Sequence, residues 1–201
     1  MAVTAATAEK TATLVREAAS LFRRFGFHGT SMGDLGAAMN LNKGTLYHYF
    51  PSKGDILYAI YLEVLDALEV NIAQIDQTMR ADEKLVAYIR AIMRTRATLP
   101  DFVAVYFQEH PWLETSLSPS HREAVRARER AWTTGLSALF DDGMREGQFR
   151  RVNAQIMAIQ LISMISSLYQ WHLGEDEASA NLVSDTIVSY LFEGIQRPTG
   201  S

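Results

Sequence analysis

The chain has 201 residues, 48% of them apolar and none of them cysteine, so a sizeable core is possible while disulfides and thiolate metal sites are excluded. Its net charge of −4 is unusual for a nucleic-acid binder, but residues 1–53 carry six Lys and Arg against three Asp and Glu, which gives +3 there and leaves −7 on the remainder. This division favours contact with a polyanion through the N-terminal segment alone.

The N-terminal 26 residues predict a short tail and a first helix. Residues 1–8 lack the basic start and the apolar core of a signal peptide, so we expect a cytoplasmic protein. A helix is predicted over 9–26, because apolar residues recur at helical spacing and Gly26 can end it. Arg23 and Arg24 lie in its last turn, where cations interact favourably with the helix dipole and could also reach a phosphate.

A helix-turn-helix pattern follows between residues 30 and 53. Ser31 and Asp34 fit a capping box for a helix that ends near residue 38, and Asn42 can cap a second helix over 43–50. Pro51 ends the second helix, because the residue before a proline avoids the α region. Two short helices joined by a three- or four-residue turn are typical of DNA-binding proteins, although ordinary amphipathic helices can have the same spacing.

The predicted second helix has two different faces. One face carries side chains that can enter a core: Thr45, Leu46, Tyr49 and Phe50. The other carries a cation, a bare backbone, a phenol and an imidazole: Lys43, Gly44, Tyr47 and His48. These groups suit phosphates and base edges, whereas the alternative interpretation is a solvated face without a ligand.

Three motifs in the first 53 residues carry a resemblance to a known family. The pattern AxxLFxxxGFxxTS begins at Ala18, KGTLYxYF spans 43–50, and Ser52 and Lys53 complete the run. On these residues, about a quarter of the chain resembles the N-terminal domain of the TetR family of bacterial repressors. Gly33 and Gly36, with the run 40–42 (Asn-Leu-Asn), depart from the family's commoner residues, so the operator sequence stays open.

The resemblance implies roles for individual residues. It implies phosphate contacts from residues with hydroxyl or ammonium donors: Thr30, Ser31, Tyr47, Tyr49 and Lys53. It implies groove contacts from the second helix: Lys43, Gly44, Thr45 and His48. Hydroxyls and lysine are natural phosphate donors, and Gly44 lets the backbone approach DNA closely. Periodicity, by contrast, points Thr45 inward.

The remaining sequence predicts helices and no strand, repeat or low-complexity segment. A long helix over 52–79 can connect the N-terminal domain with the body. Further helices are predicted over 82–99, 101–113, 118–146, 153–173 and 177–194. The predicted fold class is all-α with about nine helices, in which residues 1–53 form a three-helix helix-turn-helix DNA-binding domain and residues 54–201 a helical effector-binding and dimerisation domain.

Residues 156–173 are the most apolar stretch of the sequence. Polar residues such as Gln160 and His172 interrupt it, so we predict no membrane span. A helix that is apolar on two sides can be covered by a partner or by an internal core. The resemblance implies that the last two helices pair with a second copy, and the predicted interface residues are Ile162, Ile165, Tyr169, Leu182, Val183, Ile187, Tyr190 and Leu191.

Large aromatic side chains and methionines are concentrated in the middle helices. Ordinary core packing explains any one of them, but as a group they suit a cavity for an apolar ligand. The predicted ligand-binding residues are Tyr88, Ile92, Met93, Phe102, Tyr106, Phe107, Trp112, Arg126, Trp132, Leu136, Phe140 and Met164. Arg126 lies in a row with Arg122 and Arg130, which is either a solvated, salt-bridged face or a site for an anion. The run 105–113 resembles TetR relatives of lipid and sterol breakdown, which implies an acyl-CoA thioester.

The sequence therefore predicts a ligand-responsive transcriptional repressor. It binds double-stranded, palindromic operator DNA as a homodimer and is released by a small-molecule effector that is apolar or acyl-CoA-like. The alternatives are a constitutive DNA-binding regulator and a small helical enzyme. Five histidines without metal spacing, and the lack of a nucleophile elbow or phosphate loop, predict no catalytic residue, no metal and no cofactor.

Overall fold

The computed structural model describes residues 5–195, with side chains from residue 7 to residue 194. Nine α-helices of seven residues or more occupy most of this range, and no β-strand occurs within it. In chain order they are α1 (Ala5–Phe25), α2 (Met32–Ala38), α3 (Lys43–Tyr49), α4 (Lys53–Ala73), α5 (Ala81–Thr98), α6 (Pro100–Glu109), α7 (Pro119–Arg145), α8 (Ala154–Ser167) and α9 (Glu177–Ile195). The predicted all-α fold class is confirmed.

Two of the predicted helices end earlier than their apolar periodicity indicates. Helix α4 stops at Ala73 rather than near residue 79, because the Asp76 carboxylate accepts hydrogen bonds from the backbone N–H and the hydroxyl of Thr78 and forms a turn. Helix α8 stops at Ser167 and is followed by a 3₁₀ turn over Leu168–Trp171. His172 then adopts a left-handed conformation with φ of 53°, which ends the helical run.

The described chain divides into two compact units that do not follow chain order. The first contains the residues up to Leu65 together with Asp101–Val125, and the second contains Asp66–Pro100 together with the residues from Arg126 onward. Helices α4 and α7 contribute residues to both units. The domain boundary predicted at residue 53 stays a prediction.

The first unit has a core built from α1, α3, the start of α4 and α6. Phe22, Leu46 and Tyr61 are fully buried in it. The Tyr61 hydroxyl donates a hydrogen bond to the backbone carbonyl of Tyr106 at 3.1 Å, so the polar end of this buried ring is paired. Helix α6, although distant in sequence, therefore packs in the same unit as the helix-turn-helix.

The second unit has its core between α5, α7, α8 and α9. Its fully or almost fully buried members include Leu85, Ile89, Met93, Leu136, Phe140, Phe149, Leu161, Ile165, Ile187 and Leu191. Phe149 lies against Gly143, where an added Cβ would come within 2.2 Å of the ring, so this contact requires glycine. Over the described residues, no helix is both long enough and apolar enough to cross a membrane.

Candidate nucleic-acid interface and effector-binding residues

Helix α2 begins with the capping box that the sequence predicts. The Ser31 hydroxyl accepts the Asp34 N–H at 3.1 Å, and the Asp34 carboxylate accepts the Ser31 N–H at 2.8 Å. The hydrogen bonds from Ser31 lower the pKa of Asp34. Ser31 is exposed at this helix start, but its hydroxyl donates to the Asp34 carboxylate at 2.6 Å, so a phosphate would have to compete with Asp34 for that proton.

The turn between α2 and α3 is held by backbone contacts. The Leu41 N–H donates to the Gly36 carbonyl at 2.8 Å, and Asn40 adopts a left-handed φ of 52°. A Cβ on Gly36 would lie 2.9 Å from the Leu41 carbonyl oxygen. Gly36, which departs from the residues expected in a helix, is therefore explained by the close approach of this turn.

Helix α3 is capped by Asn42 and presents the predicted polar face. The Asn42 side chain accepts the Thr45 N–H at 2.8 Å and the Thr45 hydroxyl at 2.9 Å, while Leu46 is fully buried. The buried leucine and the cap fix both the rotation and the start of the helix. The side chains or backbone left exposed are those of Lys43, Gly44, Tyr47 and His48.

Two residues predicted to contact phosphate are engaged in holding the loop between α1 and α2. Thr30 is buried, and its hydroxyl donates to the Gly26 carbonyl at 2.8 Å, so no hydroxyl proton is left for a phosphate. Lys53 Nζ donates to the carbonyls of Phe27 and Thr30 at 2.6 and 2.7 Å. Burial lowers the pKa of Lys53, against the opposing effect of the Glu109 and Asp34 carboxylates. Two of its three N–H donors are thus used within the chain.

Helix α6 is attached to the helix-turn-helix at points that sequence reasoning missed. The Asp101 carboxylate accepts from Arg23 Nη1 at 2.8 Å, and Glu109 Oε1 accepts the Phe27 N–H at 3.1 Å. Apolar periodicity carries no signal for either contact, because each joins residues about 80 positions apart.

The remaining predicted DNA contact, Tyr49, is partly buried. Its ring lies 5.6 Å from Lys10 Nζ, and its neighbour His48 stands edge-on to it. Tyr47, by comparison, exposes 41% of its surface and carries Lys43 Nζ at 5.8 Å from its ring. A cation above each phenol places positive charge on the surface of α3.

The predicted effector-binding residues are divided between the two units. Those in the first unit are Phe102, Tyr106, Phe107 and Trp112. Those in the second are Tyr88, Ile92, Met93, Arg126, Trp132, Leu136, Phe140 and Met164. Trp112 is 57% exposed and stands edge-on to His28, whereas Met93, Leu136 and Phe140 are fully buried in the core. Burial also raises the pKa of Tyr88 to about 12.

The row of arginines on α7 is exposed or paired with an acid, as on the solvated, salt-bridged face that was one of the two predicted alternatives. Arg126 and Arg130 are exposed, and Arg122 forms an ion pair with Glu114 at 3.3 Å. Arg128, which was not predicted, is partly buried like Arg122 and is paired with two acids. Its Nη1 lies 2.7 Å from Asp66 and its Nε 2.7 Å from Glu69, both on α4. Arg128 was missed because it does not belong to the series of arginines at four-residue spacing.

The predicted interface residues of α8 and α9 differ in exposure. Ile165, Ile187 and Leu191 are 3–5% exposed in the core of the second unit, so they have little surface left for a partner. Leu182 and Tyr190 are 70% and 69% exposed. The other predicted members are partly buried: Ile162, Tyr169 and Val183. Two exposed isoleucines on α8 were missed: Ile156 and Ile159. Exposed apolar side chains on both helices form a candidate contact surface for a partner.

Two family models match the chain. The model described as bacterial regulatory proteins of the tetR family matches residues 14–60, which include the whole helix-turn-helix. The model described as the tetracyclin repressor-like C-terminal domain matches residues 78–195, more than half of the chain.

Solved structures of regulators have the same fold. PfmR of Thermus thermophilus, a TetR family transcriptional regulator, is 28% identical, with 92% of this chain and 99% of that chain covered and a TM-score of 0.82. The ketosteroid transcriptional regulator KstR2 of Mycobacterium tuberculosis is 20% identical, with 94% of this chain and 95% of that chain covered and a TM-score of 0.84. AibR, solved with isovaleryl coenzyme A and operator DNA, is 24% identical, with 90% of this chain and 97% of that chain covered and a TM-score of 0.78.

Proposed function

The chain belongs to the TetR family of bacterial transcriptional regulators, and from that premise we propose that it is a ligand-responsive repressor, which binds a palindromic operator as a dimer and leaves it when a small molecule binds. The observation that carries the proposal is the exposed face of α3, held by the Asn42 cap and the buried Leu46. A capped, rigid helix that exposes donors beside a bare backbone can enter the major groove.

We assign the DNA contacts by the donors that each side chain has available. Lys43, Gly44 and His48 contact the groove, with Thr45 close to it but bound to Asn42. Ser31, Tyr47 and Tyr49 contact phosphates, and Lys53 does so with its remaining N–H. Thr30 acts through the loop that it holds rather than through a phosphate. This division supports the proposed domain arrangement, in which residues 1–53 bind DNA and residues 54–201 bind the effector and the second copy.

Dimerisation is supported by the exposed apolar side chains of α8 and α9. Leu182 and Tyr190 each leave more than two thirds of their surface open in the single chain, as Ile156 and Ile159 leave about half. Covering such side chains removes apolar surface from water at about 25 cal/mol per Å². A twofold pair then presents two copies of α3 to two half-sites about 34–36 Å apart.

The effector that we propose is a small molecule that is apolar or acyl-CoA-like. Support comes from the aromatic and methionine side chains of the body and from the bound isovaleryl coenzyme A of the similar regulator AibR. A constitutive regulator without an effector is the second candidate, favoured by the full burial of Met93, Leu136 and Phe140. We assign no enzymatic activity to the chain.

The proposal is tested by selecting bound duplexes from a random DNA library with the full-length protein. We expect an inverted repeat whose half-sites are about one helical turn apart, bound by two chains. Enrichment without a repeat, or no enrichment, would overturn the dimeric repressor. Addition of acyl-CoAs of increasing chain length to the selected complex then separates an effector-responsive repressor, which dissociates, from a constitutive one, which stays bound.

A further inference from the structure

Two buried hydrogen-bond donors in the second unit have no partner among the described residues. They are Trp132 Nε1 and Arg128 Nη2, both on α7 and one helical turn apart. Side chains at i and i+4 lie on the same face of a helix, so Arg128 and Trp132 project from the same side of α7. A buried donor without an acceptor is costly, and folded proteins therefore supply nearly every one of them with a partner.

The charge around Arg128 determines which kind of acceptor fits. Its Nη1 and Nε are each 2.7 Å from a carboxylate oxygen, of Asp66 and Glu69 respectively. One guanidinium facing two carboxylates leaves the group at −1 when all three are ionised. A third anion at this position would meet net repulsion from the two carboxylates. A neutral acceptor, such as a carbonyl oxygen, avoids that repulsion and still accepts the free N–H groups.

The residues that follow Trp132 at four-residue spacing along α7 are apolar. Leu136 and Phe140 follow Arg128 and Trp132 at four-residue spacing and are fully buried. Met164 of α8 packs against the same core. Donors at one end and apolar side chains at the other match a ligand that has a polar carbonyl head and a hydrocarbon body.

We propose that Arg128 and Trp132 form the polar end of an effector site that takes an apolar molecule with an uncharged carbonyl acceptor: a ketone, ester or thioester. This inference rests on the proposed function, because it identifies the chemistry of the effector. It also changes the residue responsible. The exposed Arg126 is replaced by Arg128, and the recognised group is the neutral carbonyl rather than a phosphate or carboxylate.

Three matched probes of similar length distinguish the acceptor chemistry. S-ethyl thiooctanoate has a neutral carbonyl, ethyl octyl sulfide lacks it, and octanoate has a charged head. Calorimetry on the full chain should give at least tenfold tighter binding of the thioester than of the other two probes. Trp132→Phe removes one donor while keeping an aromatic ring, and it should reduce thioester affinity to about the level of the sulfide. Trp171→Phe, an exposed tryptophan, is the matched control and should bind as the unchanged protein does.

Nuclear magnetic resonance gives a readout that does not depend on affinity. The chain has three tryptophans, of which Trp112 and Trp171 are exposed, so the indole N–H of Trp132 can be assigned by single replacements with phenylalanine. The thioester should move the Trp132 indole resonance downfield and leave the other two in place. Octanoate bound as tightly as the thioester, an unmoved Trp132 resonance, or no binding by any probe would overturn the inference.

The failure of this inference is distinguishable from failure of the proposed function. If a probe or an acyl-CoA releases the selected DNA while the Trp132 resonance stays in place, the repressor function stands and the assigned site is wrong. If no operator is selected at all, the proposed function fails whatever the probes do.

Discussion

The Glu109 carboxylate accepts the backbone N–H of Phe27 at 3.1 Å, across 82 positions of sequence. Glu109 is 4% exposed, and Lys53 Nζ donates to the carbonyls of Phe27 and Thr30. The loop between α1 and α2 is therefore fixed by one acid on α6 and one base at the start of α4. This loop leads directly into Ser31, the N-cap residue of α2.

Two replacements of Glu109 distinguish the contribution of its hydrogen bond to Phe27 from the contribution of its negative charge. Glu109→Gln keeps a carbonyl oxygen for the Phe27 N–H, so we expect a loss of at most about 1 kcal/mol in the free energy of unfolding. Glu109→Ala leaves that buried N–H without an acceptor and should cost about 1–3 kcal/mol. Urea unfolding of the two variants measures the difference. Equal losses would show that the Phe27 contact contributes little.

Lys53→Ala removes both the loop contacts and a cation that we propose to contact DNA. We expect the free energy of unfolding to fall by about 1–2 kcal/mol, because two hydrogen bonds from a charged group are lost. DNA affinity should fall across all sequences, and the slope of log K against log salt should decrease by about one. Fluorescence anisotropy at several salt concentrations measures the slope. An unchanged slope would show that Lys53 makes no phosphate contact and acts only through its hydrogen bonds to the loop.

His48 and Tyr47 are exposed neighbours on α3 with different proposed roles. His48→Ala should change the ranking of single-base variants of the operator, because a base contact contributes about 1–3 kcal/mol of discrimination. Tyr47→Phe is the matched comparison, since it removes only a phosphate-directed hydroxyl and should weaken all duplexes alike. A parallel loss on every duplex for His48→Ala would contradict the base contact.

Leu182→Glu tests the apolar surface of α8 and α9. A carboxylate at this 70% exposed position disturbs no core contact of the single chain, but it would be buried in a dimer. We expect a monomer in sedimentation velocity, with helicity unchanged. Val70→Glu, at a 60% exposed site on α4, is the control and should remain dimeric. If the Leu182→Glu variant is still a dimer, the dimer interface does not include this surface of α8 and α9.

The helix-turn-helix could be predicted closely because its signals are local. Caps at Ser31 and Asn42 depend on side chains within three positions, and helical periodicity puts Leu46 inside. Such short-range hydrogen bonds and patterns are fixed by neighbouring residues alone.

The buried charges could not be predicted, because their partners are distant in sequence. Arg96 on α5 is 2% exposed and donates to the carbonyls of Leu168 and Leu173, which explains why the apolar stretch after residue 153 is not one helix. Similarly, Arg128 is distinguished from its neighbours on α7 only by the α4 carboxylates it contacts. Sequence spacing drew attention to Arg126, which is exposed.

The claim that the exposed face of α3 reads DNA is tested most directly by one anisotropy titration of the selected duplex. The double variant Lys43→Ala/His48→Ala is compared with the unchanged protein and with Arg94→Ala, an exposed cation on α5. We expect at least a tenfold loss of affinity for the double variant and less than a twofold change for Arg94→Ala. A double variant that binds within twofold of the unchanged protein would contradict the assignment of α3 as the recognition helix.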